Sequence, residues 1–348
     1  MFNPISHHHV PGSRRHFLRR AGVLAAGGAL APSLLANAMS TSPIGNSPAS
    51  RSKPSGAKEA AFLQIGILLG TFVRPTLRER LDTAKSRGLE CVQVSMDCAG
   101  LSEMPDQISS DLVDRIRSDA ASSGITIAAV QGTFNMAHPD ADHRQTGLRR
   151  LRVIAEACPR MGASMIHICS GTRSRESMWR RHPDNNSPAA WLDMAACMRE
   201  AAEIARQSGT LLAFEPEVNN VVDSAQKARR LLDEIASTHL KVTIDPANIF
   251  HTGELPRMRE ILDEAFDLLG KDIVMAHAKD LDHDGDAGHK AAGQGRLDYD
   301  HYLKLLHTHG FRGPLLLHGL SEAQVPGCVA FLREKLRRLE SALAQPAK

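Results

Sequence analysis

Short apolar runs alternate with amphipathic stretches along most of this chain, starting near residue 62. Eight runs of four to eight residues, bounded by turn residues, predict strands at 62–69, 91–96, 125–130, 164–169, 211–214, 240–244, 272–276 and 314–317. An apolar repeat of about 3.6 residues follows each run and predicts helices at 77–87, 110–123, 147–161, 189–208, 224–237, 255–269, 299–309 and 325–343. Several runs, such as 315–317, lack polar positions, which is typical of strands covered on both faces.

Eight strand–helix units within about 290 residues predict a single (β/α)8 TIM barrel over residues 59–348, since that fold typically takes about 250 residues. The alternative is an open, doubly wound parallel sheet. It is disfavoured because no Gly-x-Gly-x-x-Gly follows the first predicted strand. In a barrel of this kind the chemistry lies where the strands end and the following loops begin.

Polar residues gather at these predicted strand ends. The residues that end or follow strands five to eight include Glu215, Glu217, Asp245, His277, Lys279 and His318. Carboxylates and imidazoles from adjacent strand ends would converge on one point, and mixed oxygen and nitrogen donors suit Mn²⁺, Co²⁺, Mg²⁺ or Zn²⁺. The same donor set argues against a soft metal held by thiolates. The pattern therefore predicts one divalent metal ion at the barrel mouth, whereas a helix cap or a surface ion pair is the ordinary alternative for any single carboxylate.

Other strand ends carry polar residues that a purely structural rim does not require. The residues expected to bind substrate are Gln131, Asn135 and His138 after strand three, His167 and Arg173 at strand four, Trp179 in the loop that follows, and Asn248 after strand six. Arg173 and Trp179 suit the hydroxyls and the stacked ring face of a sugar. A solvated surface loop is the alternative for the long segment that carries them.

A Gly-rich loop after the seventh strand holds further histidines and acids. These residues are His283, Asp284, Asp286 and His289. The loop could close over a substrate, and its side chains could in principle bind a second metal. We interpret it as a solvated loop rather than as a second metal site.

The first 58 residues differ from the rest because they contain no Asp or Glu. A twin arginine at 14–15 precedes an apolar run at 21–35 and a small-residue cleavage pattern, which is typical of a twin-arginine export signal. We therefore predict a signal peptide at 1–38 that the twin-arginine export machinery recognises, a disordered Ser/Pro-rich linker at 39–58, and a periplasmic location. A disordered basic tail is the alternative.

Net charge and aromatic content limit the classes of binding partner that this chain can have. Removal of the predicted signal takes away four arginines, so that 38 basic residues face 39 acidic ones and the net charge changes from +3 to −1. A near-neutral chain with 4% aromatic residues lacks the basic surface and the stacking platforms of nucleic-acid binders, and no nucleic-acid partner is expected.

The six cysteines include no Cys-x-x-Cys, so we expect mostly buried free thiols, with Cys91–Cys98 the one pair to examine for a disulfide. A homo-oligomer is left open.

Five motifs, in chain order, resemble those of xylose isomerase-like barrels, and specifically the sugar phosphate isomerase/epimerase group. They are Glu-Pro at 215–216, Asp-Pro-Ala-Asn at 245–248, His-x-Lys-Asp at 277–280, Gly-Gln-Gly-Arg-Leu-Asp at 293–298 and Gly-Phe-x-Gly-Pro at 310–314. The resemblance spans roughly residues 62–338. It implies that Glu215, Asp245 and His277 hold one divalent cation.

The fourth ligand position departs from the family pattern. Where the resemblance implies a Glu on strand eight, this chain has His318, with Glu322 four residues later. In related epimerases two metal-bound Glu residues also move the substrate proton, so the change puts that two-base mechanism in doubt. We expect His318 to bind metal or to act as an acid or base. Glu215, Glu217 and Lys279 are the other catalytic candidates, and an ion pair with a neighbouring carboxylate is the alternative for Lys279.

The resemblance and the predicted metal site together indicate a divalent-metal-dependent sugar isomerase or epimerase. Such an enzyme moves a proton through an enediolate on a monosaccharide or keto-sugar. Export argues against a phosphorylated substrate. A keto-glycoside lyase is the first alternative, because it begins with the same proton abstraction and the change at residue 318 favours it. An endonuclease-like metal phosphodiesterase and a non-catalytic sugar-binding barrel are the other two.

Overall fold

The computed structural model describes residues 63–344 and confirms the predicted (β/α)8 barrel. Its strands are β1 Gln64–Leu68, β2 Cys91–Val94, β3 Thr126–Gln131, β4 Met165–Cys169, β5 Leu211–Glu215, β6 Leu240–Ile244, β7 Ile273–Asp280, β8 Lys290–Ala291 and β9 Pro314–Leu317. All except the short β8 are parallel neighbours around the barrel, and pairing of β9 with β1 closes it. The predicted signal peptide at 1–38 and linker at 39–58 lie outside the described residues.

A helix follows each barrel strand and covers its outer face. The helices are α1 Leu77–Ser86, α2 Ser110–Ser123, α3 Ala141–Met161, α4 Pro188–Ser208, α5 Ala225–Ile235, α6 Met258–Leu269, α7 Tyr299–Thr308 and α8 Val325–Leu343. Side-chain caps fix where several of them begin, such as the capping box that Thr76 and Glu79 form at α1. Helix α3 begins at Ala141 rather than at the predicted residue 147, because the side chain of Asp140 caps its first turn. Gly147 instead lies inside this helix, where the ring of Phe134 leaves no room for a Cβ.

Strand β7 runs farther than the sequence pattern predicted, to Asp280 rather than to residue 276. The hydroxyl of Tyr299 donates a hydrogen bond to Lys279 O at 3.0 Å, and β8 pairs with Lys279 and Asp280. These interactions hold the chain extended beyond the apolar run. His277 and Lys279 therefore lie on the strand itself, at alternate positions that face the barrel interior.

Asp280 fixes the loop that follows β7. Its carboxylate accepts hydrogen bonds from the backbone N–H groups of Gly293, Gly295 and Leu297 at 2.9–3.1 Å. A Cβ on Gly295 would lie 2.3 Å from Asp280 Oδ1, so glycine alone fits this close approach. The Gly-rich motif at 293–298 thus holds the loop against the end of β7 and positions it beside the barrel mouth.

Two apolar layers fill the fold. The inner layer fills the interior of the barrel and consists of Cys91, Ala128, Ala129, Met165, Met275 and Leu316, all buried. The larger layer lies between strands and helices and includes Phe214, Phe266 and Tyr302.

All six cysteines are buried free thiols, so Cys91 and Cys98 form no disulfide with each other. Within residues 63–344 no helix is both long and apolar enough to cross a membrane.

Candidate functional site

A cavity of about 390 Å³ opens at the carboxyl ends of the barrel strands. Its lining residues are Leu68, Gln93, Gln131, His167, Cys169, Trp179, Glu215, Glu217, Asn219, Asn248, Lys279, Asp286, Ala287 and His318. Most of the site residues predicted from sequence are among them. The predicted ligands Asp245 and His277 lie directly behind this wall, because His277 contacts Glu215 and Asp245 contacts His318.

Two carboxylates and two imidazoles meet at the base of the cavity. His277 Nδ1 is 3.2 Å from Glu215 Oε2 and 3.4 Å from Asp245 Oδ2. His318 Nδ1 is 3.4 Å from the same Asp245 oxygen. Glu215, Asp245 and His277 are buried, whereas the His318 side chain is 30% exposed. The tertiary structure therefore brings together four side chains that lie near the carboxyl ends of four neighbouring strands or directly after them.

This cluster has the features of a divalent cation site. Asp245 Oδ2, both ring nitrogens of His277 and His318 Nδ1 are buried without a hydrogen-bond partner among the described residues. Buried polar atoms are normally hydrogen-bonded, since an unpaired one costs about 1–3 kcal/mol. Carboxylate oxygens and imidazole nitrogens that face one point suit Mg²⁺, Mn²⁺, Co²⁺ or Zn²⁺. The residues present thus fit the ion that the sequence predicts.

Opposite charges set the protonation of the cluster. Burial disfavours ionisation of Glu215, but the combined attraction of His277 and His167 outweighs this effect and lowers the pKa of the Glu215 carboxyl. Burial also opposes the charge on His277, yet Glu215 and Asp245 raise the pKa of its imidazole to about 9. Burial and the charge of Lys279 lower the pKa of His318. A proton on His277 therefore offsets the carboxylates, and a divalent cation would take over that role.

The loop after β6 orients both carboxylates. Asn248 Nδ2 donates to Glu215 Oε1 at 2.5 Å, and the Ala247 N–H donates to Asp245 Oδ1 at 3.0 Å. Each bond occupies one carboxylate oxygen and leaves the other to face the histidines. Asn248 Oδ1 also accepts from the Gly288 N–H at 2.9 Å, which links this loop to the one after β7. Asn248, predicted to bind substrate, lines the cavity and also holds Glu215 in place.

Two further ionisable groups border the cluster. Lys279 Nζ is 3.5 Å from Asp245 Oδ2, which is the ion pair considered as the alternative to a catalytic role. Glu217 is 3% exposed and accepts hydrogen bonds from the Asn219 N–H at 3.0 Å and from the side chain of Asn220. Burial raises the pKa of the Glu217 carboxyl to about 7. Both Lys279 and Glu217 reach the cavity, so either can contact a molecule bound there.

Glu322, the other residue considered for the fourth ligand position, points away from the cavity. Its Oε1 lies 2.5 Å from Arg74 Nη2 and 3.9 Å from Arg87 Nη2. These arginines hold the carboxylate on the outer rim of the barrel. His318 is therefore the side chain at the end of β9 that faces Asp245.

Three residues predicted to bind substrate contact other parts of the protein and do not line the cavity. Asn135 Nδ2 donates to Ser174 O at 3.2 Å and so supports the loop after β4. Arg173 Nη1 forms an ion pair with Asp193 of α4 at 2.7 Å. The ring of His138 stacks on a neighbouring histidine of α3, with centroids 4.0 Å apart. These side chains shape the loops around the mouth.

Several cavity residues were not predicted from sequence. Gln93 Nε2 donates to Gln131 Oε1 at 2.5 Å, so two amides lie side by side on the wall. Cys169 is the register partner of Glu215, and its Sγ lies 4.0 Å from His167 Nε2. Strand parity could have identified Cys169, because residues two apart on a strand share a face with each other. Leu68 ends β1, and the remaining three, Asn219, Asp286 and Ala287, lie in loops whose positions depend on tertiary contacts.

The histidines and acids of the loop after β7 separate into two groups. His283 Nδ1 and His289 Nε2 each lie 2.6 Å from Asp282 Oδ1, near the protein surface. Asp286 instead reaches the cavity, where it accepts a hydrogen bond from Asn219 Nδ2 at 2.6 Å. The loop thus combines a solvated outer part with an inner part that borders the site.

Comparison with known proteins links this geometry to a family. The sequence profile described as xylose isomerase-like TIM barrel matches residues 81–335. Among curated proteins, none matches this chain by sequence.

Solved structures with the same fold include three informative examples. A 3-keto-D-glucoside 4-epimerase from E. coli has a TM-score of 0.61 at 18% identity, over 78% of this chain and 99% of that one. A D-tagatose 3-epimerase-like protein has a TM-score of 0.66 at 14% identity, over 81% and 100%. A xylose isomerase-like TIM barrel protein from Mycobacterium smegmatis, solved in complex with magnesium, has a TM-score of 0.59 at 15% identity, over 82% and 98%. At such low identity these likenesses establish the fold.

Proposed function

This chain belongs to the xylose isomerase-like TIM barrel family, and on that premise we propose that it is a divalent-metal-dependent sugar isomerase or epimerase. The observation that carries the proposal is the buried cluster of Glu215, Asp245, His277 and His318 at the base of an open polar cavity. The similar folds of a keto-glucoside epimerase and a tagatose epimerase-like protein support the same chemistry.

The proposed substrate is a monosaccharide or a keto-sugar. The amides of Gln93 and Gln131 offer donors and acceptors for hydroxyl groups, while Trp179, 51% exposed, offers a flat apolar face for a ring. Because the sequence predicts a twin-arginine signal, we also propose that the protein is periplasmic. Export argues against a phosphorylated substrate, so the proposed sugar is unphosphorylated. Detection of the mature protein in a periplasmic extract tests that location.

The proposed mechanism assigns the proton transfer to the chain's own residues. A divalent ion held by the Glu215 cluster would supply the positive charge that acidifies a C–H group beside a sugar carbonyl. Glu217 is our candidate base, because its buried carboxylate lines the cavity next to that cluster. Lys279 would donate a hydrogen bond to the oxygen on which negative charge develops. Asn248 would keep Glu215 in its ligand orientation through the 2.5 Å bond.

A keto-glycoside lyase is the second candidate, and His318 in place of a carboxylate favours it. An epimerase must return a proton on the opposite face of the substrate, which suits two opposed bases. Elimination needs only the first proton abstraction, after which the glycosidic oxygen departs with the electrons of its bond to carbon and takes up a proton. In that reaction the imidazole of His318, 30% exposed at the cavity, would deliver the proton instead of binding the ion.

The experiment that tests the proposal is NMR in deuterium oxide with metal-supplemented protein and a panel of free and 3-keto sugars. Solvent deuterium at a carbon beside the carbonyl, together with an isomeric product, supports the isomerase or epimerase. A β-elimination product from a keto-glycoside selects the lyase. EDTA-treated protein is the control. Absence of exchange and of any product from metal-loaded protein would refute both reactions.

A further inference from the structure

We propose that Asp286 is a specificity-determining residue, whose carboxylate admits uncharged sugars to the cavity and excludes phosphorylated or carboxylated ones. This inference deepens the proposed function and rests on it for the sugar substrate, but it does not depend on the predicted export signal. It concerns the rim of the cavity, where Asp286 of the loop after β7 meets Asn219 of the loop after β5. A sugar that enters the cavity has to pass this pair of side chains.

The carboxylate of Asp286 is held in a fixed position. Its Oδ1 accepts hydrogen bonds from Asn219 Nδ2 at 2.6 Å and from the Ala287 N–H at 2.8 Å. On either side of it, the N–H groups of Gly285 and Gly288 donate to the loop after β6, at 3.0 Å and 2.9 Å. These bonds tie three loops together around Asp286, so the fold fixes the carboxylate at the rim without help from a ligand.

One oxygen of this carboxylate remains available to a ligand. Both of its hydrogen bonds end on Oδ1, and Oδ2 has no hydrogen-bond partner among residues 63–344. The bond from Asn219 lowers the pKa of the Asp286 carboxyl, which is therefore ionised at neutral pH. An ionised carboxylate accepts hydrogen bonds and donates none, so Oδ2 suits the hydroxyl groups of a sugar and repels an anionic oxygen.

The rest of the cavity offers little to attract an anion. Sites for phosphate or carboxylate normally supply arginine, lysine or free backbone N–H groups. Among the described residues that line the cavity, Lys279 is the one lysine and there is no arginine. Lys279 Nζ lies 3.5 Å from Asp245, and Arg173, expected from sequence to bind substrate, is paired with Asp193 at 2.7 Å. The N–H groups of the two rim glycines are already used.

The charge balance leads to the same conclusion when a divalent ion is bound. Two positive charges on the ion and one on Lys279 would face three negative charges, on Glu215, Asp245 and Asp286. The site then has no surplus positive charge, even before Glu217 is counted. Asp286 is exposed, whereas the other four side chains are buried, so its charge is the first that an incoming phosphate meets.

Matched pairs of neutral and phosphorylated sugars test this inference on the metal-supplemented protein. The pairs are D-fructose with D-fructose 6-phosphate and 3-keto-D-glucose with its 6-phosphate. The fluorescence of Trp179, which lines the cavity, measures binding, and the deuterium-exchange assay measures turnover. Trp191, the other tryptophan of the chain, is buried on α4 and gives a constant background. We expect the wild type to bind the neutral member of each pair about tenfold more tightly.

Asp286→Asn removes the charge and keeps an acceptor oxygen of similar shape. We expect it to reduce this preference by about fivefold, because the phosphorylated sugar binds more tightly. Asp284→Asn is the matched control and should keep the preference, because that carboxylate of the same loop accepts a hydrogen bond from the Leu255 N–H at 2.7 Å and does not line the cavity. Raising the salt from about 0.01 M to about 1 M should also reduce the preference of the wild type, since salt screens exposed charges. This second measurement holds even if Asp286→Asn does not fold.

The outcomes separate this inference from the proposed function. An unchanged preference in Asp286→Asn would overturn the role of Asp286, and so would a wild type that binds the phosphorylated sugars more tightly. A preference for neutral sugars without deuterium exchange or product would overturn the proposed function and leave this inference intact. Exchange at equal rates with both members of each pair would do the reverse. Absence of binding by every sugar would overturn both.

Discussion

The carboxylates at the two ends of the barrel differ in their exposure to solvent and in their hydrogen bonding. The floor is the end of the barrel where the strands begin, opposite the mouth. There, Asp272 accepts hydrogen bonds from Lys241 at 2.7 Å and from Arg229 at 2.9 Å, and all three side chains are partly exposed. At the mouth, Asp245 is fully buried, and its Oδ2 lies 3.4 Å from His277 without a hydrogen bond to any described residue. Paired, partly exposed charges stabilise a fold modestly, whereas charges that are fully buried can cost more in lost hydration than their mutual attraction returns. The comparison indicates that the floor is built for stability and the mouth for a ligand.

Substitutions at the two ends should therefore separate metal binding from stability. A change at the mouth should alter metal content and activity, whereas a change at the floor should alter unfolding alone. Any residue that violates this division would show that the two ends are energetically coupled.

Asp245→Asn should have the largest effect, because it removes the carboxylate that faces His277, His318 and Lys279. We expect loss of the bound divalent ion and a fall in kcat/KM of about 10³-fold, since the ion would lower the barrier by several kcal/mol. Metal analysis and the deuterium-exchange assay measure both. Asp223→Asn, which changes a buried carboxylate paired with Lys227 outside the cavity, is the control and should retain metal and rate. Full metal content in Asp245→Asn would contradict the site.

His318→Gln and Glu322→Gln form the next comparison, because either residue could have replaced the missing family carboxylate. We expect His318→Gln to weaken divalent-ion affinity by about 10–100-fold, which is the typical loss when a residue that supports a metal site is replaced. Glu322→Gln should leave the affinity unchanged, because that carboxylate faces Arg74. Calorimetric titration with Mn²⁺ measures both variants. The opposite ranking would move the fourth ligand to Glu322.

Trp179→Ala should have a smaller effect, confined to substrate binding. Loss of a stacked ring face costs about 0.5–1.5 kcal/mol, so KM should rise about twofold to 13-fold while kcat stays nearly constant. Leu192→Ala removes an exposed apolar side chain of α4 outside the cavity and is the control. An equal fall of kcat in Trp179→Ala would instead assign the indole to the chemical step.

Asp272→Asn should change stability and leave metal affinity intact. Burial opposes ionisation of this carboxyl, but the hydrogen bonds from Lys241 and Arg229 outweigh it and lower the pKa of Asp272. A lowered folded-state pKa stabilises the protein above the unfolded value of about 4, and this contribution disappears as the pH falls through the folded-state pKa. We expect the free energy of unfolding to fall by about 1 kcal/mol at pH 7, with a smaller difference from the wild type at lower pH.

Urea unfolding of Asp272→Asn at pH 7 and at acidic pH measures this difference. A Glu322→Gln variant, which breaks a partly exposed ion pair at the rim, shows how large a stability change the loss of any such pair produces. A loss of metal in Asp272→Asn, or a stability difference that grows as the pH falls, would contradict the assigned role of the floor.

Much of the candidate metal centre could be predicted from sequence for a simple reason. Glu215 ends β5, Asp245 directly follows β6 and His277 lies in the second half of β7, and parallel strands of a closed barrel all end at the same rim. Residues in the loops did not follow the same logic. Asn135 and Arg173 also follow strands, but contacts with the loop after β4 and with α4 set their directions.

The sequence by itself determined the barrel and the strand face on which Glu215, His277 and Lys279 lie, because apolar periodicity and strand parity are local properties. Only the tertiary structure decided that His318, rather than Glu322, faces Asp245, since Arg74 on a distant segment holds the other carboxylate. It alone also placed Cys169 beside Glu215, through the register of β4 and β5. Distances between strands depend on closure of the whole barrel, and no local pattern contains them.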